Sequence, residues 1–238
     1  MNVLAIGCHP DDLVISCGGT LAKYAERGDK VFMVDIANGN LGHRIIEPDE
    51  LRIIRQKESK HAAEVLGAEN FCIDVGDCLV DSHDEEAQDR LIDIIRFTKP
   101  DLIITHNEQD YMRDHVEAGN MAFSASFTAG CSHRITGHST ENPFIENIPP
   151  IMYMDTLAGV GFLPTEYVDI TDTIETKLEA LACHESQIVW MKEHDHIDFI
   201  DFVRTCSKFR GLQCGVAYAE GFRACMNWPR MVPKRLLP

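Results

Sequence analysis

Three short apolar runs, Val3–Ile6, Val31–Val34 and Leu102–Ile104, and a further strand-like segment, Phe71–Val75, are spaced by stretches of helical periodicity. Runs of this length read as buried strands. Repeated strand–helix alternation leaves few solutions. The expected class is α/β, with a Rossmann-like, mostly parallel sheet, right-handed crossovers and helices on both faces. No Ser/Gly linker or charge block divides the chain, so residues 1–238 are expected to form a single domain. The first turn lacks G-x-G-x-x-G, which argues against a dinucleotide.

Punctuation residues set the expected boundaries. A helix is expected over Leu21–Arg27, after Gly18-Gly19-Thr20, with Gly28 at its end. Pro48 and two acids open the next helix, which Gly67 closes. Asp84 caps a third, stopped by Lys99-Pro100, and a fourth runs from about Asp114 through Phe127. Residues 130–150 are turn-rich and read as a loop or lid. Ile151–Met154 and Tyr167–Ile170 read as strands. Asp172 and Glu175 are spaced like a capping box for a helix through about Val189. Phe199–Leu212 is expected to be the last helix, and 222–238 an extended tail packed on the body or on another subunit.

Charge narrows the partners. The formal net charge of −16 argues against nucleic acid and anionic membranes, which both select basic patches. No apolar run approaches a membrane span, and the N-terminus shows no secretory signal, so a cytoplasmic protein is expected. The nine cysteines form no C-x-x-C pair and read as reduced thiols.

The chemistry is concentrated after two of the strands. His9, Asp11 and Asp12 follow the first, and Asp110, Asp114 and His115 follow the fourth. In open α/β sheets ligands bind beyond the carboxyl ends of the strands. A mixed imidazole and carboxylate set suits zinc. His-Pro-Asp-Asp is also ordinary turn chemistry. If the first and fourth strands are neighbours, His9, Asp12 and His115 converge on one metal and Asp11 is left free as a base. Arg55 and Glu58 can pair on one helix face, which by itself is a weak surface contact.

The segments AIGCHPDD with GGT, IRQKESKHAAEVLG, GDCLVD, PDLIITHNEQDYMRDHVEAG, YMDTLAG, YVDIT, CHESQ and RGLQCGVAYAEGF resemble, in order, the LmbE-like or PIG-L family of zinc-dependent N-acetylglucosaminyl deacetylases. Several look nearest to the bacillithiol-type and diacetylchitobiose-type subgroups. The resemblance implies Zn2+ held by His9, Asp12 and His115, with Asp11 as general base. It places Arg55 and Asp77 against the sugar, implies an N-acetylated sugar substrate, and implies a homo-oligomer, hexameric in some subgroups.

One motif departs from the family. Its usual His-Pro-Asp-His is Met112-Arg113-Asp114-His115 here. The resemblance gives the first histidine of that motif to the oxyanion or to proton donation, and methionine can do neither. Tyr111, His106, His184, His194 and His196 are the candidates to replace it. Besides a deacetylase, the sequence allows a zinc protein of deacetylase fold with reduced or altered activity, a ligand-binding protein, or a hydrolase of another amide.

Overall fold

A computed structural model describes residues 1–238. In chain order the elements are β1 (Asn2–Gly7), α1 (Asp12–Glu26), β2 (Lys30–Ala37), α2 (Pro48–Leu66), β3 (Ala68–Val75), α3 (Glu85–Thr98), β4 (Leu102–Thr105), α4 (Arg113–Thr128), β5 (Ile151–Met154), β6 (Glu166–Asp169), α5 (Ile174–Ala182), α6 (Glu185–His194), α7 (Phe199–Cys214) and β7 (Ala219–Ala224). All seven strands form one sheet in the order β3-β2-β1-β4-β5-β7-β6. The first five are parallel, and β7 runs antiparallel between β5 and β6. No helix is long and apolar enough to cross a membrane.

The strands read as continuous apolar runs because both faces of the sheet are covered. Val3, Ala5, Val31, Met33, Leu102 and Ile104 face one core, with α1, α2, α5 and α7. The intervening Leu4, Ile6, Phe32, Val34 and Ile103 face the other, with α3 and α4. β1 lies between β2 and β4, so the strand order reverses direction there. Register pairs Val3 with Leu102 and Ile6 with Thr105, and the Thr105 hydroxyl donates to Ile6 O at 2.9 Å. The residues that follow the two strands therefore emerge side by side at the topological switch point.

The structure corrects the sequence expectation in four places. Helix α1 begins at Asp12, so Gly18-Gly19-Thr20 lies inside it. A glycine inside a helix weakens it by about 1 kcal/mol relative to alanine. Packing explains this one, because a Cβ on Gly19 would sit 2.9 Å from three Ile170 side-chain carbons. The buried Glu220 carboxylate also accepts from Gly19 and Thr20 N–H, at 2.9 and 2.8 Å, and pairs with Lys177 at 2.6 Å. Second, the helix expected through Val189 is two helices, broken at Cys183-His184. The Thr173 hydroxyl at its start donates to Gly19 O instead of capping.

Third, β7 carries no apolar run, because Glu220 and Gly221 interrupt it. Its long-range partners, the Lys177 ammonium and the Gly19 and Thr20 N–H groups, make Glu220 acceptable there. The extended tail consequently begins after Ala224 rather than at residue 222. It does pack on the body, with Leu236 and Leu237 buried and Tyr24 donating to Leu236 O at 3.0 Å. Fourth, the 130–150 loop is pinned from below by the fully buried Arg96, which donates to the carbonyls of Ala129, Cys131 and Arg134. None of its residues lines the cavity described next.

Candidate active site

A cavity of about 560 Å³ opens beyond the ends of β1 and β4. His9, Asp11, Asp12, Arg55, Asp77 and His115 all line it. Pro10 ends the strand ladder after β1 and turns the chain into α1, placing Asp11 at its N-cap and Asp12 in its first turn. His115 comes from the first turn of α4.

Asp12 is the hub. Its Oδ2 lies 3.4 Å from His9 Nδ1, 3.3 Å from His115 Nε2 and 3.3 Å from His106 Nε2. It also accepts the His9 N–H at 2.7 Å, which fixes its rotamer. His106 is distinguishable from the other two imidazoles. Its Nε2 accepts the Cys8 N–H at 2.9 Å, so the lone pair a metal would need is already used. Its ring stacks on His115 at 4.2 Å and 20°. Burial, and then the positive field of His115, depress its pKa and keep it neutral. His9 and His115 thus remain as the free imidazole donors.

The metal-free electrostatics match that division. Burial opposes charge on His9, but Asp114 and Asp12 outweigh it and raise its pKa well above the ordinary value. Burial likewise opposes charge on His115, yet Asp12 and Asp110 lift it to about 10. Burial opposes charge on Asp12 too, but the surrounding imidazoles drive its pKa well down. Asp110 Oδ1 sits 3.2 Å from His115 Nδ1, without the alignment of a hydrogen bond, and accepts the Met112 N–H at 3.0 Å. Asp114 Oδ2 lies 3.7 Å from His9 Nε2 and accepts the Cys78 N–H at 2.7 Å. Carboxylates placed behind metal-binding imidazoles in this way orient the rings and raise their basicity.

The donor chemistry fits zinc. With ligands at 2.0–2.1 Å, a tetrahedral site has ligand–ligand edges of about 3.3 Å. The two edges that Asp12 makes, to His9 and to His115, already have that length. The third does not: the donor sets gathered within 4.8 Å are Asp12 with His106 and His115, and Cys8 with His9 and Asp12, so His9 and His115 must close toward each other to share an ion. Cys8 is an unsuitable fourth donor. Its sulfur lies 3.9 Å from His9 Nε2, and burial pushes its thiol up to about 12, far from the thiolate a metal selects.

Asp11 is held differently. Its Oδ1 accepts from Arg55 Nη2 at 2.7 Å, and its Oδ2 accepts no hydrogen bond. Arg55 is 3% exposed and also donates to Gly39 O at 3.2 Å. It does not pair with Glu58, whose carboxylate is taken by Ser186 N–H and hydroxyl. Asp77 accepts the Gly39 and Leu41 N–H groups at 2.8 and 3.0 Å and so shapes the turn that forms one wall.

Among the candidates to replace the missing histidine, only Tyr111 and His106 reach the cavity. The Tyr111 hydroxyl makes no hydrogen bond, and its ring lies edge-on to His115 at 5.8 Å. His184 is fully buried with both ring nitrogens unpartnered. His194 is tied to Asp195 and stacked on Trp190, and His196 is exposed.

A family model for PIG-L, GlcNAc-PI de-N-acetylase, matches residues 4–126, which hold β1 through most of α4 and every residue of the Asp12 cluster. The chain belongs to the PIG-L family. Within this family it is similar to the diacetylchitobiose deacetylase of Thermococcus kodakarensis, 29% identical over 235 residues, covering 93% of this chain and 82% of that protein. It is also similar to the 4-oxalmesaconate hydratase of Pseudomonas putida, 28% identical over 196 residues, covering 78% of this chain and 74% of that protein. The solved N,N'-diacetylchitobiose deacetylase of Pyrococcus horikoshii superposes with a TM-score of 0.78 at 29% identity, over 94% of this chain and 83% of that one.

Proposed function

We propose that the protein is a zinc-dependent hydrolase that removes the N-acetyl group from an N-acetylglucosamine-type sugar or conjugate. The observation that carries this reading is the Asp12 hub, with the His9 and His115 imidazoles each 3.3–3.4 Å from its Oδ2, beside an Asp11 that keeps one oxygen uncommitted. Family membership and the two deacetylase relatives supply the reaction class.

His9, Asp12 and His115 would hold the ion, which would supply Lewis-acid activation of a water and of the acetamide carbonyl. Asp11 Oδ2 takes the proton of the attacking water and returns it to the departing amine. Arg55 aims Asp11 through the hydrogen bond to its Oδ1 and acts as a positioning residue. Asp77 holds the 39–41 turn against which the sugar lies. Tyr111 supplies the donor that Met112 lacks. Its pKa is raised to about 12 by burial, and then by Asp12 and Asp110, so it stays a protonated phenol. The chain acts as a cytoplasmic homo-oligomer in this reading. Met226, Trp228 and Met231, 66%, 89% and 59% exposed, offer an apolar strip for a second copy.

The test is acetate release from a panel of N-acetylated amino sugars by metal-replete protein. Turnover of at least one member is expected, and none would refute the assignment. The donor assignment has its own test. Tyr111→Phe is expected to lower kcat by about 10²-fold, as loss of one oxyanion donor does elsewhere. Met112→His added to that variant should recover part of the loss. A Tyr111→Phe enzyme with full kcat would remove Tyr111 from this role.

A second reading is water addition to a double bond of an acid-bearing substrate. Met112, which supplies no donor for an amide oxyanion, favours it, as does the similarity to a hydratase. Loss of the ultraviolet band of an unsaturated oxo-dicarboxylate, with no acetate release from the sugars, would select it.

A further inference from the structure

One imidazole lies behind the cavity with no partner of its own. His184 sits at the break between α5 and α6, is fully buried, caps nothing, and leaves both ring nitrogens without a hydrogen bond. Buried polar groups of a folded chain are almost always bonded, so two orphaned nitrogens on one ring call for a reason. A second orphan points to it. Arg55 spends Nη2 on Asp11 Oδ1 and Nη1 on Gly39 O, and its buried Nε–H goes unmet. Two contacts press the break at His184 against this turn of α2. Glu58, one turn after Arg55, accepts the Ser186 N–H and hydroxyl, both at 2.7 Å. The Gln187 amide reaches Gly42 O at 3.4 Å, and the space that a Cβ on Gly42 would take is walled by Gln187 Oε1 and Arg55 Nη1. His184 also lies within the field of the Arg55–Asp11 pair. Burial lowers its pKa to about 4, with Asp11 opposing the fall and Arg55 adding to it. The ring is therefore neutral, with one acceptor nitrogen and one N–H. It does not line the cavity, so it is not placed to touch substrate.

We infer that His184 is a positioning residue, which takes the Arg55 Nε–H through one buried water and so completes the hold on the guanidinium that aims Asp11. The two side chains make no direct bond, and a buried water is what usually links such groups. It accepts from Nε and donates to the unprotonated imidazole nitrogen. A planar fork held at two points can turn about the line that joins them. A third tie fixes its plane, and the plane sets where Asp11 points. The inference rests on Asp11 being the base that Arg55 aims, as proposed above. A histidine kept only for packing makes the opposite prediction. Replacing it by an apolar residue of similar volume would then remove two orphaned groups, leave turnover alone and stabilise the fold.

The experiment compares zinc-loaded wild type, His184→Leu and His184→Gln, each also combined with Arg55→Lys, which has no Nε–H to offer. Acetate release is followed from the N-acetylated amino sugar that wild type turns over fastest. His184→Leu is expected to keep its zinc and to lower kcat about ten- to hundredfold, the scale on which misplacing a reacting group acts, with KM within about twofold of wild type. His184→Gln, whose amide keeps an acceptor and a donor, should recover much of the loss. Combined with Arg55→Lys, the leucine should cost less than about twofold more, because the group that His184 serves is gone. A second arm needs no substrate. In NMR of isotope-labelled protein, the unprotonated nitrogen of His184 should carry the shift of one that accepts a hydrogen bond. The Arg55 Nε–H signal should move in His184→Leu. Full kcat in His184→Leu, or an equal loss with and without Arg55→Lys, would overturn the inference. So would the shift of a free ring nitrogen in wild type, which needs no variant to fold, even if the sugars are deacetylated. A bonded His184 nitrogen and an Arg55 signal that depends on it, with no sugar turned over, would keep the contact and defeat the deacetylase reading instead.

Discussion

Replacing Asp11 by asparagine is expected to lower kcat by about 10²–10⁴-fold, the range for loss of a positioned general base, while zinc stays bound at one per chain. Asparagine has the shape of aspartate, and its carbonyl oxygen can still accept from Arg55 Nη2, as Asp11 Oδ1 does at 2.7 Å. What disappears is the second, uncommitted oxygen able to hold a proton. The contrast with the adjacent residue is the reason for the assignment. Asp12 Oδ2 has three imidazole nitrogens within 3.4 Å, so a proton there would compete with all of them. Kinetics and metal analysis on one preparation check this. Near-normal turnover would remove Asp11 as base, and loss of zinc would make it a ligand.

His115→Ala is expected to abolish stoichiometric zinc and, with it, turnover. Two protein ligands remain, His9 and Asp12. The nearest spare imidazole, His106, could replace the missing one only by giving up the Cys8 N–H it accepts at 2.9 Å. Leaving that buried N–H unpaired costs about 1–3 kcal/mol. Elemental analysis showing one zinc per chain in His115→Ala would contradict the ligand set. The same site predicts a pH dependence. In the metal-free protein both His9 and His115 have raised pKa values, the second at about 10, so protons held on these rings compete with the metal. Zinc must displace these protons. Binding at pH 7.5 should therefore release protons, seen as a calorimetric enthalpy that varies with the buffer, and affinity should fall as pH falls. A buffer-independent enthalpy would count against it.

Much of this was legible in the chain. The apolar runs of β1, β2, β4 and β5 are continuous because helices cover both faces, which makes such strands conspicuous. The caps at Asp84 and Gly67 lie where the turn chemistry puts them, with Asp84 accepting from Glu86 and Ala87 N–H and Gly67 at φ 71°. That His9 and His115 would both lie beside Asp12 followed once β1 and β4 proved to be neighbours. What stayed hidden depends on contacts distant in sequence. Strand β7 is disguised by Glu220, whose charge is met by Lys177, 43 residues away. Gly18-Gly19 resembled a loop because Ile170, which needs the missing Cβ, is far along the chain. His106 was visible as a candidate donor. Its actual place, stacked behind His115 and bonded to Cys8, follows only from strand register. A histidine directly after the strand that pairs with β1 was the signal available. The pair of Arg55 with Glu58 does not form for the same reason, since the partner of Arg55 is Asp11, 44 residues earlier and not on its own helix.

The most direct test of a metal-dependent deacetylase is to titrate zinc into metal-free protein while following acetate release from an N-acetylated amino sugar that the loaded protein turns over. The rate should rise linearly, saturate at one zinc per chain, and return to background on chelation. Acetate release from the metal-free protein, or none at full zinc occupancy on any sugar of the panel, would contradict the account.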